Sequence, residues 1–161
     1  LISSFSQSLL DQQENCLAPT IDTYISYRLV APYLKDQVLS NVRGIGVDIL
    51  EISRIKKAYE RWGVAFLEKV FLREEIDYCL TKVNPYPSLA ARFAAKEAAF
   101  KALSQAGIHI TLWHGIAVAR AEDGRPRLVV PKATGLRLHL SLTHSKEFAV
   151  AMVVAETGGS E

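Results

Sequence analysis

Asp48, Glu97 and Lys101 are the residues of this chain best equipped to hold a divalent cation against a phosphate. Asp48 follows an apolar run in Gly44-Ile45-Gly46-Val47-Asp48-Ile49-Leu50-Glu51. Glu97 and Lys101 lie one helical turn apart in Arg92-Phe93-Ala94-Ala95-Lys96-Glu97-Ala98-Ala99-Phe100-Lys101-Ala102. The carboxylates are hard oxygen ligands, and the lysine is a compact positive charge for phosphate oxygens. Phosphoryl transfer needs little more, because positioning and charge neutralisation supply most of its catalysis. Plainer readings stand beside this one. A Glu–Lys pair at i,i+4 on a solvated face adds only slightly to helix stability. An aspartate at a strand end often turns the chain or caps the next helix. The apolar lead-in favours a site at Asp48, since a rigid strand end holds a ligand better than a loop does.

The elements that must carry these groups can be read from periodicity. Val42 to Ile49 reads as a buried strand, with Gly44 and Gly46 permitting close backbone approach. Ser53 to Arg61 reads as a helix with Ser53 as N-cap, Phe66 to Val70 as a further helical segment, and Leu72 to Leu80 as a charged amphipathic helix. Asn84-Pro85-Tyr86-Pro87-Ser88 is a turn cluster, with Ser88 expected to cap a long helix that ends before Gly107. On that helix Leu89, Phe93, Phe100 and Leu103 form an apolar stripe, and Glu97 and Lys101 stack along its flank. Beyond Gly107 the pattern turns to strands. Ile116 to Arg120 and Arg127 to Val130 flank a turn at Glu122–Pro126, and Leu136 to Leu142 and Phe148 to Val154 form a second pair. The fold expected is α+β, a mostly antiparallel sheet packed against one long helix and shorter helices.

Residues 1–43 differ in character: polar and rich in Ser and Gln at first, then amphipathic over Ile21–Leu39 with a break near Pro32. The expected division is an N-terminal helical or partly disordered extension over 1–43, a folded domain over 44–156 and a flexible tail over 157–161. In Leu138-His139-Leu140-Ser141-Leu142-Thr143-His144, His139 and Ser141 share one face of a strand, which fits either a half-exposed sheet surface or phosphate contacts.

At 161 residues, 49% apolar and 22% charged, the chain suits one domain with a real core. A net charge of +2 without aromatic-basic clustering argues against nucleic acid and fits an acidic partner or a polyanionic small molecule. Cys16 and Cys79 are far apart and outside any metal-ligand spacing, which points to a reducing, cytoplasmic setting. No apolar run approaches a membrane span, and the first residues lack the pattern of a secretory signal.

Together, residues 44–55, 92–102, Gly124-Arg125-Pro126 and His139 to His144 resemble, in order, the four signature blocks of the short bacterial 4′-phosphopantetheinyl transferases, the holo-[acyl-carrier-protein] synthase family. The resemblance runs over residues 44–156. It implies magnesium at Asp48 and Glu97, with Lys101 at the phosphates and Glu97 and Lys101 as the catalytic pair. It places Arg92, Lys96, Lys101, Gly124, Arg125, Pro126, His139 and Ser141 near coenzyme A, and Arg54, with Lys56 and Lys57 nearby, against an acidic apo-acyl carrier protein. The implied reaction moves phosphopantetheine from coenzyme A to a carrier-protein serine and releases adenosine 3′,5′-bisphosphate. A metal-oriented water, Glu97 or Lys101 could serve as general base. The family also implies a homotrimer with active sites between subunits, and a small domain with few helices over its apolar strands points the same way. Only Arg127 to Leu138 is available where the family carries a helix, and Pro131 and Gly135 leave room for at most a stunted turn. The alternative is a non-catalytic carrier-protein or nucleotide-binding module of the same fold.

Overall fold

β1 (Val42–Glu51) opens the described part of the chain, and its glycines explain how the rest packs on it. The structure, a computed structural model, describes residues 41–158. The extension expected over 1–43 therefore lies outside the described residues except for its last three, of which Val42 and Arg43 already belong to β1. Helices α1 (Ile52–Trp62), α2 (Val64–Val70) and α3 (Arg73–Leu80) follow, then the long α4 (Tyr86–Gln105). A single 3-10 turn (Trp113–Gly115) leads into β2 (Ala117–Arg120), β3 (Pro126–Val129), β4 (Leu136–His144) and β5 (Phe148–Thr157). β5 thus runs one residue into the expected tail. No helix among the described residues is long and apolar enough to cross a membrane.

The main sheet has the order β1-β5-β4, and β2 and β3 form a separate hairpin; every pairing is antiparallel. α4 lies across the inner face of the main sheet. There Ala149, Ala151, Val153 and Ala155 of β5 are buried. A Cβ at Gly46 would collide with the Ala98 carbonyl oxygen, and one at Gly44 with that of Ala102. The two glycines and the alanine-rich face of α4 thus bring helix and strand backbones into contact, as the sequence led one to expect.

β1 is not buried on both sides, however. Gly44, Gly46 and Leu50 face α4, whereas Ile45, Val47 and Ile49 are exposed on the outer face. Two caps also differ from expectation. α1 is entered from Glu51, and Ser53 Oγ donates to Glu51 Oε2 at 3.3 Å instead of capping a backbone N–H. Ser88 lies inside α4, which starts two residues earlier. Asn84 Oδ1 accepts the Tyr86 N–H at 3.3 Å, and Pro87 sits in the first turn, where its missing donor is no loss. Between β3 and β4 the short connection makes two tight turns, Ala133 N–H to Val130 O at 3.0 Å and Leu136 N–H to Ala133 O at 3.1 Å, and no helix.

Candidate active site

The inner face of β1 delivers Asp48 to the flank of α4. Its cross-strand neighbour is Ala151, small enough to leave room for the carboxylate. Lys101 Nζ donates to Asp48 Oδ1 at 2.9 Å and to the Val47 carbonyl at 2.8 Å. Asp48 is largely covered, its side chain 17% exposed, while Lys101 stays half open at 48%. Glu97, one turn earlier on the same flank, has its carboxyl raised above the usual range, first by burial and then by the Asp48 charge, with Lys101 opposing. The i,i+4 pair is therefore more than a solvated surface pair, because a second carboxylate from another element joins it.

Two carboxylates that repel one another beside a lysine form a place where a further positive charge is welcome. The donor set fits magnesium: hard oxygens and an incomplete protein shell. Among the described residues no third His, Cys, Asp or Glu completes a cluster. Any remaining positions around a cation would fall to phosphate oxygens and water, which is how magnesium is usually held.

The other expected site residues fall into separate places. Arg92 points away from Glu97, about 140° around the helix at 100° per residue. Its guanidinium stacks over Tyr78 at 4.4 Å from the ring centroid, and Arg120 lies over the same ring at 5.0 Å. Arg92 is 7% exposed, Nη1 donates to Ser88 O at 3.4 Å, and Nε has no partner among the described residues. These residues line a cavity of about 470 Å³ with Leu72, Val118 and Val129. The Gly124–Pro126 turn adjoins it, since Arg120 Nε donates to the Gly124 carbonyl at 3.2 Å. Gly124 has φ +83°, a conformation that favours glycine. Arg125 folds back on Asp123, Nε to Oδ2 at 2.7 Å, and holds that carboxyl below its ordinary range.

Lys96 is the clearest correction. The resemblance put it near coenzyme A, but its side chain is completely buried. Nζ pairs with Glu75 Oε2 at 2.8 Å and donates to the carbonyls of Val70 at 2.9 Å and Trp113 at 3.3 Å. All three ammonium donors are thus directed at protein oxygens, and none remains for a ligand. Burial depresses the lysine's affinity for its proton, and Glu75 opposes that effect. Glu75 is itself tied by Leu72 N–H at 2.9 Å and Val118 N–H at 3.1 Å. Sequence reasoning missed this carboxylate. Its spacing from Leu72 is that of a capping box, but the cap position lacks the Ser or Thr that would reveal it.

His139 and Ser141 stand on the outer face of the main sheet, opposite the side that carries Asp48. His139 Nε2 meets Glu156 Oε1 at 2.8 Å. Within one chain they cannot converge on Asp48 and Glu97. On α1, Arg54, Lys57 and Arg61 are exposed at i, i+3 and i+7 and so share one face. Lys56 leaves that group, pairing with Glu60 at 3.8 Å and lying over Tyr86.

With this geometry in view, comparison with known proteins gives a consistent picture. Residues 44–153 match the family model described as the 4′-phosphopantetheinyl transferase superfamily. The holo-[acyl-carrier-protein] synthase of Chlamydia trachomatis serovar D is 47% identical over 118 residues, 70% of this chain and 98% of that protein. The corresponding protein of Halothermothrix orenii is 43% identical over 125 residues, 73% of this chain and 99% of its own. Among solved structures, the Bacillus anthracis synthase in complex with CoA (3′,5′-ADP) aligns with a TM-score of 0.63 and 36% identity, over 73% of this chain and 99% of the other. The Helicobacter pylori synthase in complex with coenzyme A aligns at 0.61 and 32%, over 69% and 98%.

Proposed function

The chain belongs to the 4′-phosphopantetheinyl transferase superfamily and is an enzyme of its holo-[acyl-carrier-protein] synthase type; from that premise we propose how its residues divide the work. The substrates are coenzyme A and an apo-acyl carrier protein, and the observation that carries the assignment of the centre is the meeting of Asp48, Glu97 and Lys101 across β1 and α4. Asp48 and Glu97 would hold one magnesium ion, which would supply positive charge to neutralise the pyrophosphate of coenzyme A. Lys101 presents its ammonium to the phosphate oxygens. The serine hydroxyl of the carrier forms a bond to the β-phosphorus, the bond to adenosine 3′,5′-bisphosphate breaks, and Glu97 takes the hydroxyl proton. Lys101 already donates to Asp48 and Val47 and so is poorly placed to accept a proton. Glu97, which accepts no hydrogen bond from Lys101, is the better-placed base.

Arg92, Arg120 and the Gly124–Pro126 turn line the side that takes the nucleotide end of coenzyme A. The outer sheet face, with Ile45, Val47, Ile49, Phe148 and Met152 exposed, is apolar enough to require cover. A homotrimer would cover it and let His139 and Ser141 of one subunit approach the metal ligands of the next. The exposed stripe Arg54, Lys57 and Arg61 meets the acidic carrier. A cytoplasmic setting suits the free, buried Cys79, whose thiol is pushed up to about 11 by burial.

The test is mass spectrometry of an apo-carrier protein incubated with enzyme, coenzyme A and magnesium. A gain of one phosphopantetheine arm is expected, abolished by Asp48→Ala and by Glu97→Gln. A complex that forms without any mass gain would instead indicate a binding module. Full activity of either variant at limiting magnesium would refute the metal assignment.

A further inference from the structure

Among the described residues β1 pairs with β5 on one side only, and no described strand receives the backbone N–H and C=O groups of its other edge. α4 answers part of that edge with side chains. Gln105 Oε1 accepts the Ile45 N–H at 3.0 Å, and Gln105 Nε2 donates to the Ile45 carbonyl at 2.9 Å. One turn earlier, Lys101 donates to the Val47 carbonyl at 2.8 Å. Four helical residues rise about 6 Å, and two strand residues about 6.7 Å. The two repeats therefore run in step, and successive turns of α4 meet successive edge positions of β1. Gly44 and Gly46 lock the same pair of elements from the inner face through backbone contact with Ala102 and Ala98.

This arrangement bears directly on the metal ligands. Asp48 is the next residue beyond Val47, and Glu97 lies one turn beyond Lys101 in the same direction along the helix. A slip of β1 by one residue would send Asp48 to the outer face, away from Glu97. We infer that Gln105 is a positioning residue for the metal site: its amide acts as a surrogate strand partner that fixes where Asp48 meets Glu97. The inference rests on the reading of Asp48 and Glu97 as metal ligands. Gln105 touches neither of them. Because its side chain is exposed, its loss leaves no buried hole and the domain keeps its core.

Gln105→Leu removes both hydrogen bonds at similar size, and Gln105→Asn keeps the amide but shortens its reach. Manganese binding by electron paramagnetic resonance, in the absence of coenzyme A, is the decisive readout. Both variants should bind manganese about 10-fold more weakly, the low end of what loss of an orienting partner around a ligand costs. The half-saturating magnesium in the transfer assay should rise by the same factor, with the Michaelis constants for coenzyme A and carrier unchanged. Amide exchange at Ile45 should quicken in both. Faster exchange at Ile45 with wild-type manganese affinity would overturn the inference and leave the metal-site reading intact. Wild-type manganese affinity in Asp48→Ala would overturn both, so the two failures are distinguishable.

Discussion

Lys96→Met tests the most consequential placement in this structure, because the family resemblance and the packing assign that lysine opposite roles. In the fold it is sealed among Glu75, the Val70 carbonyl and the Trp113 carbonyl. Removing one member of a buried ion pair leaves an uncompensated charge and costs about 3–5 kcal/mol. Whole domains of this size are stable by only about 5–15 kcal/mol. With a urea slope of about 1.5 kcal/mol per molar, the unfolding midpoint should fall by about 2–3 M. The probe is built in, since Trp113 stacks on Phe93 at 4.8 Å and lends its carbonyl to the lysine. Adding Glu75→Gln should restore part of the loss. The charge is then gone, and the residual cost is that of the backbone groups left unsatisfied, about 1–3 kcal/mol for each. Protein concentration must be held fixed, because assembly contributes to apparent stability. A Lys96→Met protein with an unchanged midpoint and a lost affinity for coenzyme A would refute the reasoning and return the lysine to the ligand.

Other outcomes follow from the same geometry. Gly46→Ala drives a Cβ into the Ala98 carbonyl and should destabilise by at least about 1–3 kcal/mol while raising the magnesium requirement, seen by denaturation and by metal titration of the rate. Glu97 is held above its ordinary range, so the stability it contributes is present in acid and lost as pH rises from the ordinary carboxylate value through the raised one. Glu97→Gln should therefore be at least as stable as wild type at pH 7, with the difference vanishing in acid, although transfer is abolished; a variant less stable at neutral pH would contradict this. Arg54→Glu reverses one charge in the exposed basic stripe. It should raise the Michaelis constant for the carrier about 10-fold or more at low salt, less at high salt, and leave that for coenzyme A unchanged in steady-state kinetics.

Much of the fold was legible in advance for local reasons. The period-2 runs at 136–142 and 148–154, the turn chemistry at Glu122–Pro126 and the apolar stripe of α4 each fix an element within a few residues. What failed were details decided by neighbours. Ser53 and Ser88 looked like caps by type, but Glu51 and Pro85 occupy those places because the chain enters each helix earlier than the serines suggest. β1 read as fully buried, since an apolar run carries no mark of which face a partner will cover.

The candidate site divides along the same line. Residue type and order sufficed to select Asp48, Glu97 and Lys101, because their chemistry is carried by the side chains themselves and by one helical turn of spacing. Their meeting depends on β1 lying against α4, a contact that Gly44 and Gly46 permit but only the packed fold completes. Lys96 belongs to the same signature block, yet one step around the helix, about 100°, turns it from the site flank into the core. There burial makes an ion pair with Glu75 obligatory. His139 and Ser141 were equally visible as residue types, but the pleat puts them on the face opposite Asp48. Which groups the chain possesses was written in its sequence; which of them share a site was decided by the face of each element that the tertiary contacts turn inward.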